Sequence, residues 1–182
     1  MGAERGTAAK RRADAVMAGI SVFADQGVTT TAVQRIADDI GVSQAYVFRL
    51  FGSKQAIFLA CMDELEARVR GVFREAAATN PDDPLRAMGA GFRELIADGV
   101  LSGLWLQACA VARDNETVAA RCRALISGVL GEAERLTSAT PEDLARFMAR
   151  GALVTILQAV GVDLAGGSQA AVASLRAEQV TG

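Results

Sequence analysis

The sequence contains no histidine, only three prolines and few aromatic residues, which make up 5% of its 182 residues. The absence of histidine excludes the commonest general base, the usual hydrolytic triads and the commonest metal ligand. The sequence also lacks a phosphate-binding glycine loop and a cluster of metal-ligating residues. We therefore predict a protein that is not an enzyme and that requires no cofactor or metal.

Cysteines and long apolar runs are also scarce. Cys61, Cys109 and Cys122 are widely spaced in apolar helical patterns, which favours buried thiols over a redox role and provides no disulfide framework. The longest apolar segments, Val100–Ala112 and Gly151–Val162, have about a dozen residues, whereas a bilayer requires about twenty. We expect a cytoplasmic protein with no membrane association.

Charge is unevenly distributed along the chain, although the net charge is only -2. Residues 1–54 carry seven basic and five acidic side chains, whereas residues 55–182 carry twelve and sixteen. This asymmetry has the sign expected of a nucleic-acid-binding head on an acidic body. The predicted domains are a head at 1–54, which includes a basic N-terminal arm, and a body at 55–182.

Apolar residues recur at helical spacing throughout, and no segment alternates long enough to form a strand. The pattern predicts an all-α protein in which residues 1–9 form an arm and Thr31 caps helix 2 with Gln34. Ser43 and Ser53 are expected to cap helices 3 and 4. The predicted helices are Lys10–Gln26, Thr31–Gly41, Ser43–Phe51, Lys54–Ala78, Asp83–Leu101, Gly103–Arg113, Asn115–Ser138, Pro141–Asp163 and Ser168–Gln179.

The segment Thr31–Phe51 has the pattern of a helix-turn-helix. Ala37 is small where two helices would cross, and Gly41 allows the positive φ that a sharp turn needs. The positions that would point into a shared core are all apolar: Ile36, Ile40, Val42, Val47 and Leu50. This combination predicts a DNA-binding head, because the second helix of such a motif enters the major groove.

The outer face of helix 3 then provides the candidate base contacts. Gln44 can pair with adenine, Ala45 can touch a thymine methyl, and Tyr46 can contact a base edge or a phosphate. Thr31 and Lys54 lie where helix N-termini and cations hold phosphates. The remaining candidates are Phe48 and Arg49 on helix 3, and Lys10, Arg11 and Arg12 at the beginning of helix 1. Solvent exposure alone is an equally good explanation for these last three.

The stretch Ala15–Ala60 resembles the DNA-binding head of TetR-type (TetR/AcrR family) transcriptional regulators. The matching residues are Phe23, Gly27, Thr31, Val33, Ile36, Ala37, Gly41, Val42, Ser43, Phe51, Ser53 and Lys54. By this resemblance, the residues that meet DNA are Thr31, Ser43, Gln44, Ala45, Tyr46, Phe48 and Lys54. Phe48 departs from the family pattern, because a tyrosine whose hydroxyl binds phosphate is usual there.

The resemblance implies that the body is a helical bundle for dimerisation and ligand binding. Helix Pro141–Asp163 is apolar on nearly every side, as a helix covered by both its own core and a partner must be. A purely internal helix is the alternative. The expected dimer contacts are Leu144, Met148, Gly151, Ala152, Thr155, Val172 and Leu175.

The resemblance further implies a ligand cavity in the body. Its candidate lining residues are Met62, Leu65, Phe73, Met88, Phe92, Trp105, Gln107, Cys109, Cys122, Ile126 and Phe147, although each also suits plain core packing. Gln107 and Gln158 are the candidates for orienting a ligand.

The predicted function is a ligand-responsive transcriptional regulator, specifically a repressor. As a homodimer it would bind a pseudo-palindromic double-stranded DNA operator and release it when a small, mostly apolar effector binds. The alternative is a small-molecule-binding helical protein of the same fold with weak or lost operator binding.

Overall fold

The structure, a computed structural model, describes the backbone of residues 2–162 together with residues 170, 172, 173 and 176. These described residues form α-helices and no strand, which confirms the all-α prediction. The predicted ninth helix, Ser168–Gln179, lies largely outside them. The helices are α1 Gly2–Gln26, α2 Thr30–Asp39, α3 Gln44–Phe51, α4 Lys54–Thr79, α5 Pro84–Leu95, α6 Val100–Ala112, α7 Glu116–Leu136 and α8 Pro141–Ala159.

Helix α1 begins earlier than predicted. The segment expected to be an arm is helical from Gly2 onward. Between Gly2 and Lys10 the chain is rich in alanine and contains glutamate and arginine but no proline, so helix propensity continues the element upstream. The apolar periodicity from which Lys10 is predicted as the first residue of helix 1 indicates where the helix is buried. It does not indicate where the helix begins.

Helix α2 is capped by Thr29 and not by Thr31, so the predicted capping box is wrong. The Thr29 hydroxyl accepts a hydrogen bond from the Ala32 amide at 3.0 Å, and Gln34 donates to Asp38 at 2.8 Å. Any of three consecutive threonines can cap a helix. Thr29 does so because its own amide bonds the Gly27 carbonyl and fixes the chain where the helix begins.

Helix α5 ends at Leu95, six residues before its predicted end at Leu101. Gly99 has φ +80°, a left-handed conformation that favours glycine and interrupts the helical path. The Asp98 carboxylate accepts a hydrogen bond from the Val100 amide at 3.0 Å and starts α6. The apolar pattern continues across this break, which is why periodicity alone joined the two segments.

The chain forms two compact units. Unit 1 comprises Met1–Ala67 and Gly103–Ile126, and unit 2 comprises Arg68–Ser102 and Ser127–Gly182. Unit 1 therefore holds the whole predicted head together with α6 from Gly103 onward and the first halves of α4 and α7. The head boundary at residue 54 stays a prediction.

Unit 1 has a core formed by α1 to α4. The Phe23 and Phe58 rings meet edge to face with centroids 5.4 Å apart, and both side chains are fully buried. Cys61 packs in the same core, where burial raises the pKa of its thiol to about 12 with the help of nearby Glu64 and Asp63. Cys61 and Cys122 are buried as predicted, whereas Cys109 is exposed.

Unit 2 packs α5 closely against α8 and against the second half of α4. Phe73 of α4 meets Phe147 of α8 with ring centroids 5.4 Å apart. Gly91 allows a close approach, because a Cβ at this position would lie 2.6 Å from a methyl group of Val72. Thr140 begins α8 with a capping box completed by Asp143, and Pro141 occupies the first turn, as predicted.

Among the described residues, no single helix is long and apolar enough to cross a membrane. Only α5 and α6 taken together reach that length and composition, and a sharp bend separates them.

Candidate nucleic-acid interface

The turn between α2 and α3 has the geometry that the sequence predicts. Gly41 adopts φ +67°, which leads the chain out of α2. The Val42 amide bonds the Ala37 carbonyl at 2.9 Å and the Gly41 amide bonds the Asp38 carbonyl at 3.1 Å. These two bonds form a Schellman motif, which satisfies the last carbonyls of α2 and directs the chain into α3.

Helix α3 is capped by Ser43, whose hydroxyl accepts a hydrogen bond from the Tyr46 amide at 3.2 Å. Val47 and Phe51 point into the core, while Leu50 is half-buried. Of the other predicted core positions, Ile36 and Ala37 are fully buried, and Ile40 and Val42 are half-buried. With its inner face fixed in this way, α3 turns its remaining side chains outward.

The outward side chains of α3 are the ones predicted to contact bases. Ala45 and Arg49 are exposed, and Gln44, Tyr46 and Phe48 are half-buried. The Arg49 guanidinium lies over the Tyr46 ring, 4.7 Å from its centroid. Such stacking restricts the long arginine side chain while its N–H edge stays available for hydrogen bonds.

Gln44 is held at the start of α3 by a bond back to α2. Its amide nitrogen donates to the Thr30 carbonyl at 3.1 Å. A glutamine amide carries two N–H donors and one carbonyl acceptor, so a second donor and the acceptor remain for an outside partner. Thr31, next in sequence to the Thr30 anchor, is exposed on the same helix-turn-helix.

Lys54 is the first residue of α4 and is half-exposed. The Ser53 hydroxyl caps the helix by accepting from the Ala56 amide at 3.1 Å. The neighbouring Gln55 accepts a hydrogen bond from Asn115 at 3.0 Å, and Asn115 also caps α7. A lysine on a capped helix N-terminus places two sources of positive potential together.

Arg11 and Arg12 bond to the protein itself. Arg11 donates to the Ile40 carbonyl at 2.9 Å, and Arg12 donates to the Leu50 carbonyl at 3.0 Å. The Arg12 guanidinium also lies 4.1 Å above the Phe51 ring. Sequence reasoning missed these contacts because the partners are 29 and 38 residues away along the chain. Lys10 is exposed.

The predicted effector-site residues divide between the two units. Unit 1 holds Met62, Leu65, Trp105, Gln107, Cys109, Cys122 and Ile126, and unit 2 holds Phe73, Met88, Phe92 and Phe147. Met62 and Met88 are fully buried, whereas Cys109 and Ile126 are exposed.

The two glutamines expected to orient a ligand both lie near backbone groups of the protein. A Cβ on Gly27 would lie 3.2 Å from the Gln107 amide oxygen, so this side chain rests against the end of α1. Gln158 donates to the Ala97 carbonyl at 2.8 Å.

The predicted dimer contacts on α8 differ in their exposure. Leu144 and Thr155 are buried in unit 2, and the Thr155 hydroxyl bonds the Gly151 carbonyl at 3.0 Å. Ala152 is exposed, and Met148 is half-buried. Val172 is half-buried as well, and Leu175 lies outside the described residues.

A different stripe of α8 is open to solvent. From Ala145 to the C-cap residue Val160, the residues that fall within about 60° of Ile156 at 100° per residue are all apolar, whereas Glu142 in the first turn shares their sector. These apolar residues are Ala145, Ala149, Ala152, Leu153, Ile156, Ala159 and Val160. The side chains of Ile156 and Val160 are 55% and 70% exposed. The face predicted from the sequence is thus rotated by about a quarter turn from the open one.

Comparison with known proteins points to one family. Residues 16–61 match the profile of bacterial regulatory proteins, tetR family. A search of curated protein sequences found no match. Two crystal structures described as TetR-family transcriptional regulators share the fold. One, from Rhodococcus sp., has 18% identity and a TM-score of 0.64, with 82% of this chain and 86% of that chain covered. The other, from Mesorhizobium loti, has 15% identity and a TM-score of 0.59, with coverages of 83% and 76%.

These likenesses agree with the geometry of α2 and α3. The profile spans the helix-turn-helix, and the structural likeness extends over most of the chain. Residues 16–61 are therefore similar to the helix-turn-helix DNA-binding head of tetR-family regulators, and the chain shares the fold of the two solved structures.

Proposed function

We propose that this protein is a transcriptional regulator of the tetR family, specifically a cytoplasmic, non-enzymatic repressor that binds a pseudo-palindromic operator as a homodimer and releases it when a small apolar effector binds. The observation that carries the proposal is the outward face of α3. Between its buried residues, this helix presents an amide at Gln44, a stacked guanidinium at Arg49 and an aromatic hydroxyl at Tyr46. These are groups that read base edges in the major groove.

Each group has a proposed partner on DNA. Gln44 pairs with the N6 and N7 edge of adenine, and Arg49 with the O6 and N7 edge of guanine. Ala45 contacts a thymine methyl, and the Tyr46 hydroxyl contacts a base edge or a phosphate. Thr31, Ser43, Lys54 and Lys10 hold phosphates and set the register. Phe48 has no hydroxyl and contributes apolar contact only.

The dimer is proposed to form through the exposed stripe of α8 defined above. Its small residues allow close approach of a second helix, and its large residues near Ile156 supply apolar area to bury. A second copy of this chain is the natural occupant, because two heads about one DNA turn apart match the two halves of a palindrome. Dimerisation thus serves recognition directly.

Effector binding is proposed for the apolar side chains of the body, on the strength of the family resemblance. Most of the candidate lining residues are apolar, and among the described residues no group of three or more potential metal ligands is present. A neutral or aromatic-cation ligand suits such a lining. An effector that binds the DNA-free arrangement more tightly lowers the affinity of the protein for its operator. By linkage, operator DNA lowers the affinity for the effector by the same free energy.

In vitro selection from a random duplex library, followed by footprinting upstream of the gene itself, tests the proposal. We expect enrichment of a two-fold-symmetric site, bound about 10³-fold or more tightly than random DNA, with steep salt dependence. An enriched site without symmetry would reject the dimeric operator. A thermal-shift screen of apolar compounds, repeated with the selected DNA, tests the effector.

The alternative role is a small-molecule-binding protein of the same fold that has lost operator binding. The observation in its favour is Phe48, which cannot make the phosphate bond of the usual tyrosine. Failure of the DNA selection together with a compound that raises the melting temperature would establish it. Phe48→Tyr is the matched variant, since it should restore a phosphate bond and strengthen binding only if a DNA interface is still present.

A further inference from the structure

Two neighbouring arginines of α1 hold the ends of both helices of the helix-turn-helix. Arg11 donates to the carbonyl of Ile40, the C-cap residue of α2, and Arg12 donates to the carbonyl of Leu50 in the last turn of α3. The Arg12 guanidinium also covers the buried ring of Phe51 at 4.1 Å. One turn of α1 thus contacts the C-terminal ends of α2 and α3 together.

The chemistry of these contacts suits helix C-termini. The last carbonyls of a helix have no intrahelical partner, and the helix dipole concentrates negative potential there. A cationic donor satisfies both conditions at once. Helix α3 has only eight residues and is too short to be stable alone, so its angle depends on such external contacts.

These contacts change the role expected of the basic cluster formed by Lys10, Arg11 and Arg12. A guanidinium that bonds a carbonyl and stacks on a ring is directed inward, whereas a phosphate contact requires it to point at DNA. Lys10, one residue upstream and exposed, has no such bond among the described residues. The three cations that looked alike in sequence therefore separate into one candidate for DNA contact and two for internal support.

We propose that Arg11 and Arg12 are positioning residues that set the angle of the recognition helix and thereby its base discrimination, without contacting the operator. The proposal rests on the proposed function, since discrimination requires an operator. It predicts that the shape of the guanidinium matters and that its charge alone does not suffice.

The charge-conserving variant Arg11→Lys/Arg12→Lys tests this. Lysine keeps the positive charge but has no planar group that can stack and donate together. We expect specific affinity to fall about tenfold, the cost of one misplaced base contact, with non-specific affinity and the salt slope unchanged. The measurements are titrations of operator and random DNA at several salt concentrations, at a temperature where circular dichroism shows full folding.

Lys10→Ala is the matched control. If Lys10 binds a phosphate, this variant should leave the ratio of specific to non-specific affinity unchanged and reduce the salt slope by about 0.9 for each phosphate that is no longer neutralised. Wild-type discrimination in the double-lysine variant would overturn the proposal, because charge alone would then suffice. An equal loss of affinity for operator and random DNA would also overturn it, because that result indicates only general destabilisation.

Hydrogen exchange separates this proposal from the proposed function. In the double-lysine variant without DNA, we expect faster amide exchange in the last turns of α2 and α3, and unchanged exchange in α4. Unchanged exchange throughout would overturn the positioning role whatever DNA does. If the wild-type protein showed no preference for any DNA sequence, the proposed function would fail, and the exchange data alone would decide whether the arginines hold the two helices.

Discussion

Helix α3 of unit 1 and helix α8 of unit 2 present opposite kinds of surface. The outward face of α3 carries an amide, a guanidinium and an aromatic hydroxyl, whereas the outward stripe of α8 carries only apolar side chains. Polar groups held on a rigid helix can discriminate among hydrogen-bonding partners. An apolar stripe has no such selectivity, and burying it against another apolar surface is favourable in free energy. Under the proposed function, this difference fits a role of unit 1 in specificity and a role of unit 2 in assembly.

The two aromatic pairs offer the strongest test of how the units differ in stability. Phe23 is fully buried against Phe58, whereas Phe147 is half-buried against Phe73. We expect Phe23→Ala to lower the free energy of unfolding by about 3–5 kcal/mol and Phe147→Ala by clearly less. Urea denaturation followed by circular dichroism measures both. Met17→Ala, at an exposed position of α1, is the control. Equal losses of unfolding free energy for Phe23→Ala and Phe147→Ala would contradict the expected difference between the two units.

A charge placed in the α8 stripe tests assembly. Ile156→Arg places a cation in the middle of the exposed apolar residues, so a dimer formed there would have to bury it. We expect light scattering to show half the wild-type mass, operator affinity to fall by about 10²-fold or more because bivalent binding is abolished, and helix content to be retained. Arg150→Glu, on the flank of the same helix, changes charge outside the stripe and should leave the mass unaltered. A wild-type mass for Ile156→Arg would place the interface elsewhere.

The same two helices show where sequence reasoning succeeded and where it failed. The helix-turn-helix could be predicted because each of its signals is local: Ala37 at the crossing, Gly41 at the turn and Ser43 at the cap act within a few residues. The outward face of α8 could not be predicted, because a helix that is apolar on nearly every side has no period from which to tell core from surface. Leu144 and Thr155, which the sequence predicts as dimer contacts, are buried within their own unit.

Long-range polar contacts are the other feature that the sequence could not predict. The bonds from Arg11 and Arg12 join residues about thirty and forty positions apart, and a cluster of basic residues gives no indication of such partners. The break at Gly99 was hidden for a related reason, since apolar periodicity continues through it. Sequence therefore predicted which helices exist and where the motif lies, and the structure was needed to show what each exposed or charged side chain contacts.

Substitutions on the surface of unit 1 that we propose to face DNA should separate two kinds of contact. Gln44→Ala and Arg49→Ala are expected to cost about 1–3 kcal/mol on the preferred site and to relax preference at single base positions. Lys54→Ala should weaken binding to all sequences alike and reduce the salt slope by about 1. Selection experiments with each variant measure the preference. Identical loss profiles for all three variants would contradict the division between base and phosphate contacts.

The smallest expected effect concerns a buried carboxylate of unit 2. The Glu132 side chain is 2% exposed and accepts hydrogen bonds from Arg70 and Arg135, with Arg74 at 3.7 Å. Burial by itself would raise the pKa of Glu132, but hydrogen bonds from Arg135 and Arg70 outweigh it, so the pKa lies below its ordinary value of 4.5. A lowered pKa in the folded state means that this group stabilises the fold above about pH 4.5 and that the contribution is lost as the pH falls through the lower, folded-state pKa.

Glu132→Gln should therefore reduce the free energy of unfolding at neutral pH by about 1–2 kcal/mol and flatten its decline on acidification. Urea titrations between neutral and acidic pH measure both effects, and Glu142→Gln, whose side chain is 80% exposed, is the control. If the free energy of unfolding fell in parallel for wild type and Glu132→Gln as the pH is lowered, the charge of Glu132 would make no contribution to stability through its arginine partners. Because α3 lies in unit 1, we expect operator discrimination to be the same in this variant, which would keep the division of roles between the two units intact.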